Sequence, residues 1–355
     1  MKISLSLLFF LVSTVSLART NVHIATFDSG FGGFFTAKEI EKQSSELSQS
    51  HNTNFTISHY GDTANAPYGE KTPEKIAELS ARGITKAFDN GAEYVFIACN
   101  TASTQFEAIK TILNKKKDGR ADKIISIIDS SVQEMKNQID EKLKTSQTVN
   151  VAILATPATI RAGAYLRAIA KAYNVPAPLN DIKFVTQDRW YKKKGDKIDS
   201  ATGKTELQLA GGKKIVISQI GPGNWVDMIE HGAIQEEKKL AVKRDLALLA
   251  PKAKWDVVGE FCTHFPAIDL LIKEQGQGLD LSTTKTSYIK QGPLMAGIFK
   301  KMMLTQLKAE KPDEIMTPTR ARIFISGNNF DETKELSKEL FPKDPLPLIQ
   351  QVSFQ

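Results

Sequence analysis

Cysteine is the scarcest chemistry in this chain. Its 355 residues hold two, Cys99 and Cys262. That count excludes a disulfide framework and any four-cysteine zinc or iron–sulfur site. One bridge, inert packing or catalysis stay open to them. Long apolar runs are missing too: the unbroken run near the N-terminus, Leu7 to Val12, falls far short of the roughly 20 residues a spanning helix needs. No low-complexity tract appears. Hydrophobic residues make up 41% and charged residues 25%, near the globular average, which excludes a disordered or fibrous chain. The length fits one large or two ordinary globular domains.

Lys and Arg outnumber Asp and Glu by 47 to 40, a formal charge of +7. The excess lies in Lys115–Lys117, Lys192–Lys194 and Lys213–Lys214, beside Gly119, Gly195 and Gly212. No RNA-binding aromatic motif, zinc finger or basic zipper accompanies these clusters. They read as solvated surface, and no nucleic-acid partner is expected.

Residues 1–18 have the marks of a secretory signal peptide. Lys2 precedes an apolar stretch that ends in the small residues Ser16 and Ala18. Cleavage near Ala18 would give an exported protein, periplasmic or secreted, with no stable membrane anchor.

Beyond residue 20, short β-branched runs alternate with amphipathic stretches, the pattern of a mostly parallel α/β architecture. Val22–Phe27, Phe55–Tyr60, Tyr94–Ala98 and Ile124–Ile128 read as strands; Thr36–Ser45, Pro73–Asn90 and Ser130–Lys144 read as helices. A second cycle then begins. Asn150–Ala155 echoes His23–Asp28, and Trp255–Cys262 echoes the run into Cys99. Gln291–Lys308 and Glu332–Leu340 read as helices, Arg322–Ser326 as a strand and Pro342–Pro347 as irregular. The expected fold is therefore two similar doubly wound α/β lobes, related by pseudo-twofold symmetry, with the active site in the cleft between them. The first lobe spans 20–122 plus 290–355. The second spans 123–289, with an inserted hairpin around 187–214.

Asp28-Ser-Gly-Phe-Gly-Gly33 lies between a strand and a helix. Glycines there admit either an anion at the helix N-terminus or a plain tight turn. It is no dinucleotide fingerprint, because the position of the third glycine holds Phe35, and no Walker lysine follows. Gly61 to Gly69 is a turn-rich loop. Cys99 and Cys262 each end an apolar strand, where open α/β sheets place ligands, and His264 follows Cys262 as a proton partner. Inverting a stereocentre α to a carboxylate is a reaction that needs two opposed thiols: one takes the proton, the other delivers one.

Five motifs occur in the order seen in glutamate racemases: Asp28–Gly33, Gly61-Asp62 with Pro67-Tyr68-Gly69, Ala98-Cys-Asn-Thr-Ala102, Leu154–Thr159 and Cys262-Thr-His-Phe-Pro266. From about Val22 to Leu340 the chain resembles the aspartate/glutamate racemase superfamily. The resemblance implies Cys99 and Cys262 as catalytic acid/bases, assisted by Asp28 and His264, with Glu230 behind the histidine. It implies Ser29, Pro67, Tyr68, Gly69, Asn100, Thr101, Thr159 and Thr263 as substrate contacts, with Thr159 preferred over Thr156. It also implies glutamate as substrate and no pyridoxal phosphate, metal or nucleotide. A homodimer is compatible with it. The alternatives are an aspartate or broad-specificity racemase, or an exported amino-acid-binding protein that has lost turnover.

Three departures stand out. Phe261 precedes Cys262 where such racemases usually carry glycine, with Glu260 before it. The insert lengthens the second lobe. Export contrasts with the cytoplasmic peptidoglycan-precursor synthesis, the cell-wall role, that glutamate racemases ordinarily serve.

Overall fold

The computed structural model describes residues 20–178, 181–190, 195–249, 254–307 and 320–354. The expected signal peptide and the Lys192–Lys194 cluster lie outside the described residues.

Two six-stranded sheets organise the molecule. The chain opens with β1 (Thr20–Asp28), β2 (Thr53–Gly61), β3 (Tyr94–Ile97) and β4 (Ile124–Ser126). The second sheet takes β5 (Thr148–Ala155), β6 (Ile182–Asp188), β7 (Lys197–Gln208), β8 (Lys214–Gly221), β9 (Val257–Phe261) and β10 (Ser287–Lys290). Two last strands, β11 (Arg322–Ile325) and β12 (Ile349–Gln351), return to the first.

The first sheet runs β12-β11-β2-β1-β3-β4 and the second β10-β9-β5-β8-β7-β6. The segments β2-β1-β3-β4 and β8-β5-β9-β10 therefore have the same order, all parallel. This is the repeat that the two cysteine-terminated strands announce. It is broken by the antiparallel β6–β7 hairpin, which pairs along β8. The hairpin begins at Ile182, five residues before the expected insert. Two other expectations shift. Residues Ile127 and Ile128 are helical, because Ser126 Oγ accepts the Ile128 amide at 3.2 Å and caps the helix Ile127–Leu143. Strand β4 also pairs with β3, so the first lobe runs past residue 122 to Ser126.

Strand faces alternate, as a sheet covered on both sides requires. Val149, Val151 and Ile153 of β5 point into a core shared by both lobes, while Ala152 and Leu154 point into a core of the second lobe alone. On β1, Val22 and Ile24 join the shared core, and Ala25 and Phe27 a core of the first lobe. The helices Gly33–His51, Ile127–Leu143 and Gln291–Gln306 fill the shared core. The residues that end or follow β1, β3, β5, β8 and β9 (Asp28, Cys99, Thr156, Pro222 and Cys262) line one cleft between the lobes.

Candidate active site

Both cysteines lie in this cleft of about 540 Å³, and both are buried free thiols. Strand β3 is short and apolar, and the chain leaves it through Cys99 directly into the helix Asn100–Ser103. The Ala102 amide donates to Cys99 Sγ at 3.4 Å, and Ser29 Oγ lies 3.5 Å from it. Burial pushes the Cys99 thiol up to about 12; the charge of Asp28 adds to the rise, and the Ser29 and Ala102 bonds oppose it. At rest Cys99 carries its proton.

Asp28 ends β1 and is 1% exposed. Its Oδ1 accepts the Gly30 amide at 3.0 Å and the Ser29 hydroxyl at 3.4 Å, and its Oδ2 accepts Thr263 Oγ1 at 3.0 Å. Asp28 thus reaches Cys99 through Ser29 and ties the first lobe to the residue after Cys262. Burial raises its carboxyl to about 6, against the lowering pull of His264, Gly30 and Thr263.

Cys262 directly follows β9, with its Sγ 3.8 Å from His264 Nδ1, and His264 Nε2 lies 2.7 Å from Glu230 Oε1. Burial works against the imidazolium, but the Glu230 charge and the Cys262 and Glu230 bonds outweigh it and hold His264 well above its ordinary value. The same ion pair, working against burial, keeps Glu230 below the usual carboxylate range.

The glycines of the 28–33 turn provide clearance between the lobes. A Cβ at Gly32 would stand 2.6 Å from the His264 ring and Thr263 Oγ1, and one at Gly30 would stand 2.8 Å from Glu230 Oε1. Of the two sequence readings, the tight turn is the one that this packing explains. His59 braces it from behind: Nδ1 lies 2.9 Å from Thr26 Oγ1 and Nε2 donates to the Gly30 carbonyl at 3.0 Å. Burial lowers His59 to about 4, so it is a neutral strut. No motif in the sequence marks this role.

Ser29, Pro67, Tyr68, Gly69, Thr101 and Thr263 all line the cleft. Tyr68 is held by donating its hydroxyl to Asp62 Oδ2 at 2.7 Å. Two expected contacts differ. Thr101, Thr156 and Thr159 share hydroxyl contacts of 2.9–3.4 Å, but Thr156 lines the cleft and Thr159, 1% exposed, stands behind it. Thr156 is the N-cap of a helix opened by Pro157, and its oxygen accepts the Thr159 amide at 3.2 Å. Asn100 borders the cleft, yet its side-chain amide is spent elsewhere. It donates to Gln291 Oε1 at 2.7 Å and accepts from Tyr165.

The hairpin contributes residues that carried no sequence signal beyond a basic cluster. Arg189, Asp196, Lys197 and Asp199 line the mouth of the cleft. Arg189 pairs with Glu70 of the first lobe, and Arg161 donates to the Gly69 carbonyl at 3.1 Å. The second lobe therefore grips the Tyr68–Glu70 turn from two sides. Among the described residues, no cluster of three or more His, Cys, Asp or Glu is arranged to hold a metal, and no helix is long and apolar enough to cross a membrane.

No family model matches the chain. Among curated proteins it is similar to a glutamate racemase of Bifidobacterium adolescentis, 41% identical over 81 residues, which cover 23% of this chain and 28% of that protein. It is similar to another of Desulforudis audaxviator, 29% identical over 147 residues, 41% of this chain and 46% of that one. The chain thus spans less than half the length of these two relatives in alignment. With a glutamate racemase of Ruegeria pomeroyi it shares 23% identity over 286 residues, 77% of this chain and 87% of that protein. Among solved structures, the fold matches glutamate racemase of Francisella tularensis in complex with D-glutamate (TM-score 0.62, 20% identity, 94% of this chain and 98% of that one). It also matches Escherichia coli glutamate racemase in complex with L-glutamate and an activator (TM-score 0.57, 20% identity, 94% and 98%).

Proposed function

We propose, from the premise that the chain shares the ordered motifs and the fold of the aspartate/glutamate racemase superfamily, that it racemises glutamate by transfer of the α-proton between two cysteines. One observation carries this reading. Two thiols at matched strand ends share one cleft, each backed by its own acid: Cys99 by Ser29 and Asp28, Cys262 by His264 and Glu230.

The chemistry follows from the contrast between them. An α-proton is a weak acid, so its removal needs a base held against it and donors for the developing enolate. The His264 cation is the counter-ion that a thiolate at Cys262 needs. That thiolate takes the α-proton from one face of the substrate. Cys99, a thiol at rest, delivers its own proton to the opposite face and is left as thiolate. Ser29 and Ala102 hold that thiolate. The reverse direction swaps the roles. The hydroxyls of Thr101 and Thr156 line the cleft and can turn as donors to a carboxylate, while those of Ser29 and Thr263 are engaged with Asp28.

The test is exchange of the α-hydrogen in deuterated buffer with each enantiomer of glutamate, and of aspartate for comparison. Exchange and racemisation should both be lost in Cys99→Ala and in Cys262→Ala. Racemisation that survives either change sinks the reading, and glutamate binding without deuterium uptake would mark a binding protein instead. Faster turnover of aspartate would move the substrate assignment, which rests on a pocket difference worth only ~1–3 kcal/mol per methylene. We propose further that the protein acts outside the cytoplasm after cleavage near Ala18. Sequencing the N-terminus of the native protein checks this, and an intact Met1 would refute it.

A further inference from the structure

Phe261 departs from the motif around Cys262, and the proton transfer above makes no use of it. Its ring stacks on Tyr165, with centroids 4.1 Å apart and planes 19° from parallel. It also lies against its own strand: a Cβ at Gly259 would fall 2.4 Å from Phe261 Cζ. Glycine at 259 is what lets the ring fold there. Tyr165 then donates its hydroxyl to Asn100 Oδ1. Asn100 is the neighbour of Cys99, just as Phe261 is the neighbour of Cys262.

A continuous path therefore joins the two thiols outside the cleft: Cys262 to Phe261 by peptide bond, Phe261 to Tyr165 by ring contact, Tyr165 to Asn100 by hydrogen bond, and Asn100 to Cys99 by peptide bond. Gln291 locks it, donating to the Tyr165 hydroxyl at 2.8 Å and to Ser131 Oγ at 2.7 Å while accepting from Asn100 at 2.7 Å. Phe261, Tyr165, Asn100, Gln291 and Ser131 are all buried. Breaking one bond of such a network strands a buried polar group, and a close-packed ring has no empty space to move into. The path is short and stiff.

We propose, building on the racemase reading, that Phe261 and Tyr165 are positioning residues that set the gap between Cys99 and Cys262. A two-base transfer needs both sulfurs within reach of one carbon at the same time. A displacement of about 1 Å costs on the order of 100-fold in rate. Asn100, which the resemblance implies as a substrate contact, serves through its side chain as the first-lobe anchor of this spacer.

Two variants probe it. Tyr165→Phe keeps the stacked ring and removes the hydroxyl; Phe261→Leu keeps apolar bulk and removes the stack. Folding is checked by circular dichroism and by alkylation of each cysteine singly. The gap is read by bridging the two thiols with dibromobimane or with the longer bis-maleimidoethane, quantified by mass. Both variants should shift bridging toward the longer reagent. Their kcat should fall roughly 10- to 100-fold, with KM nearly unchanged. Wild-type bridging with wild-type kcat in a folded variant overturns the proposal, as does a loss confined to KM. If Tyr165→Phe does not fold, Phe261→Leu decides. If the wild-type protein shows no turnover, the racemase reading fails and bridging decides alone: an altered ratio upholds the spacer and an unaltered one refutes it.

Discussion

The Cys99 and Cys262 halves of the cleft share a strand order and differ in almost everything that governs a proton. Strand β3 is apolar along its length, and its thiol meets a neutral hydroxyl that leads to a carboxyl of raised pKa. Strand β9 ends at a thiol beside a histidine kept cationic by Glu230, and it buries a second acid, Glu260, beneath. One half holds a thiol that burial keeps protonated, and the other sets a cationic imidazole beside its sulfur. A two-base site at rest needs one acid and one base, so a symmetric fold has to break its symmetry in the side chains.

The largest expected effect comes from removing the partner of each thiol. Asp28→Asn and His264→Asn should each lower kcat/KM by about 10²–10⁴. The equilibrium constant of a racemisation is one, so each variant must lower kcat/KM equally in both directions. The difference between the halves should appear in kcat, which Asp28→Asn slows more for one enantiomer and His264→Asn more for the other. Equal slowing of both by both variants would erase the distinction.

Alkylation reads the resting state directly. Near neutral pH, iodoacetamide should modify Cys262 roughly tenfold faster than Cys99, whose raised pKa withholds the reactive thiolate. Peptide mapping gives the ratio, and His264→Asn should collapse it. A Cys99–Cys262 disulfide in the native protein would contradict the active site as described.

The pH profile should show one acidic limb. Asp28 is raised to about 6, so activity that needs its carboxylate rises with pH through that value. The limb should vanish in Asp28→Asn. A limb at the ordinary carboxylate value near 4 would deny the burial that sets it.

The smallest effect concerns the acid beneath Cys262. Burial and the neighbouring Asp269 raise Glu260 well above the usual carboxylate range, while Asp269 is held by Lys273 and Lys290. As pH rises past the ordinary value, the unfolded chain loses the Glu260 proton before the folded one does, and stability falls. Glu260→Gln should therefore raise Tm by a few degrees at pH 8 and lose that gain near pH 4.

Much of this arrangement was legible in the residues. The alternation of β-branched and amphipathic runs gives the lobes, and the echo of one cysteine-terminated strand in the other gives their repeat. What escaped was set by contacts between distant segments. Asp28 and Thr263 are 235 residues apart yet bonded, and Gln291 reaches Asn100 across 191. The resemblance favours Thr159 over Thr156, yet the folded chain sets Thr156 at the cleft and Thr159 behind it. The β4 boundary moved because a capping serine starts the helix inside an apolar run. Strand β12 went unread because Pro342–Pro347 precedes it and Gln350 and Gln351 weaken its pattern.

The Asn100 network has a mechanical consequence. The chain passes from the first sheet to the second through the helix Ile127–Leu143, and it starts back through the helix Gln291–Gln306. Each helix gives the network one residue, Ser131 and Gln291. The network therefore ties together the two segments by which the chain leaves one sheet and returns to the other. Arg189 and Glu70 join the lobes a second time at the cleft. A strain on either crossing helix is thus carried directly to the neighbour of Cys99.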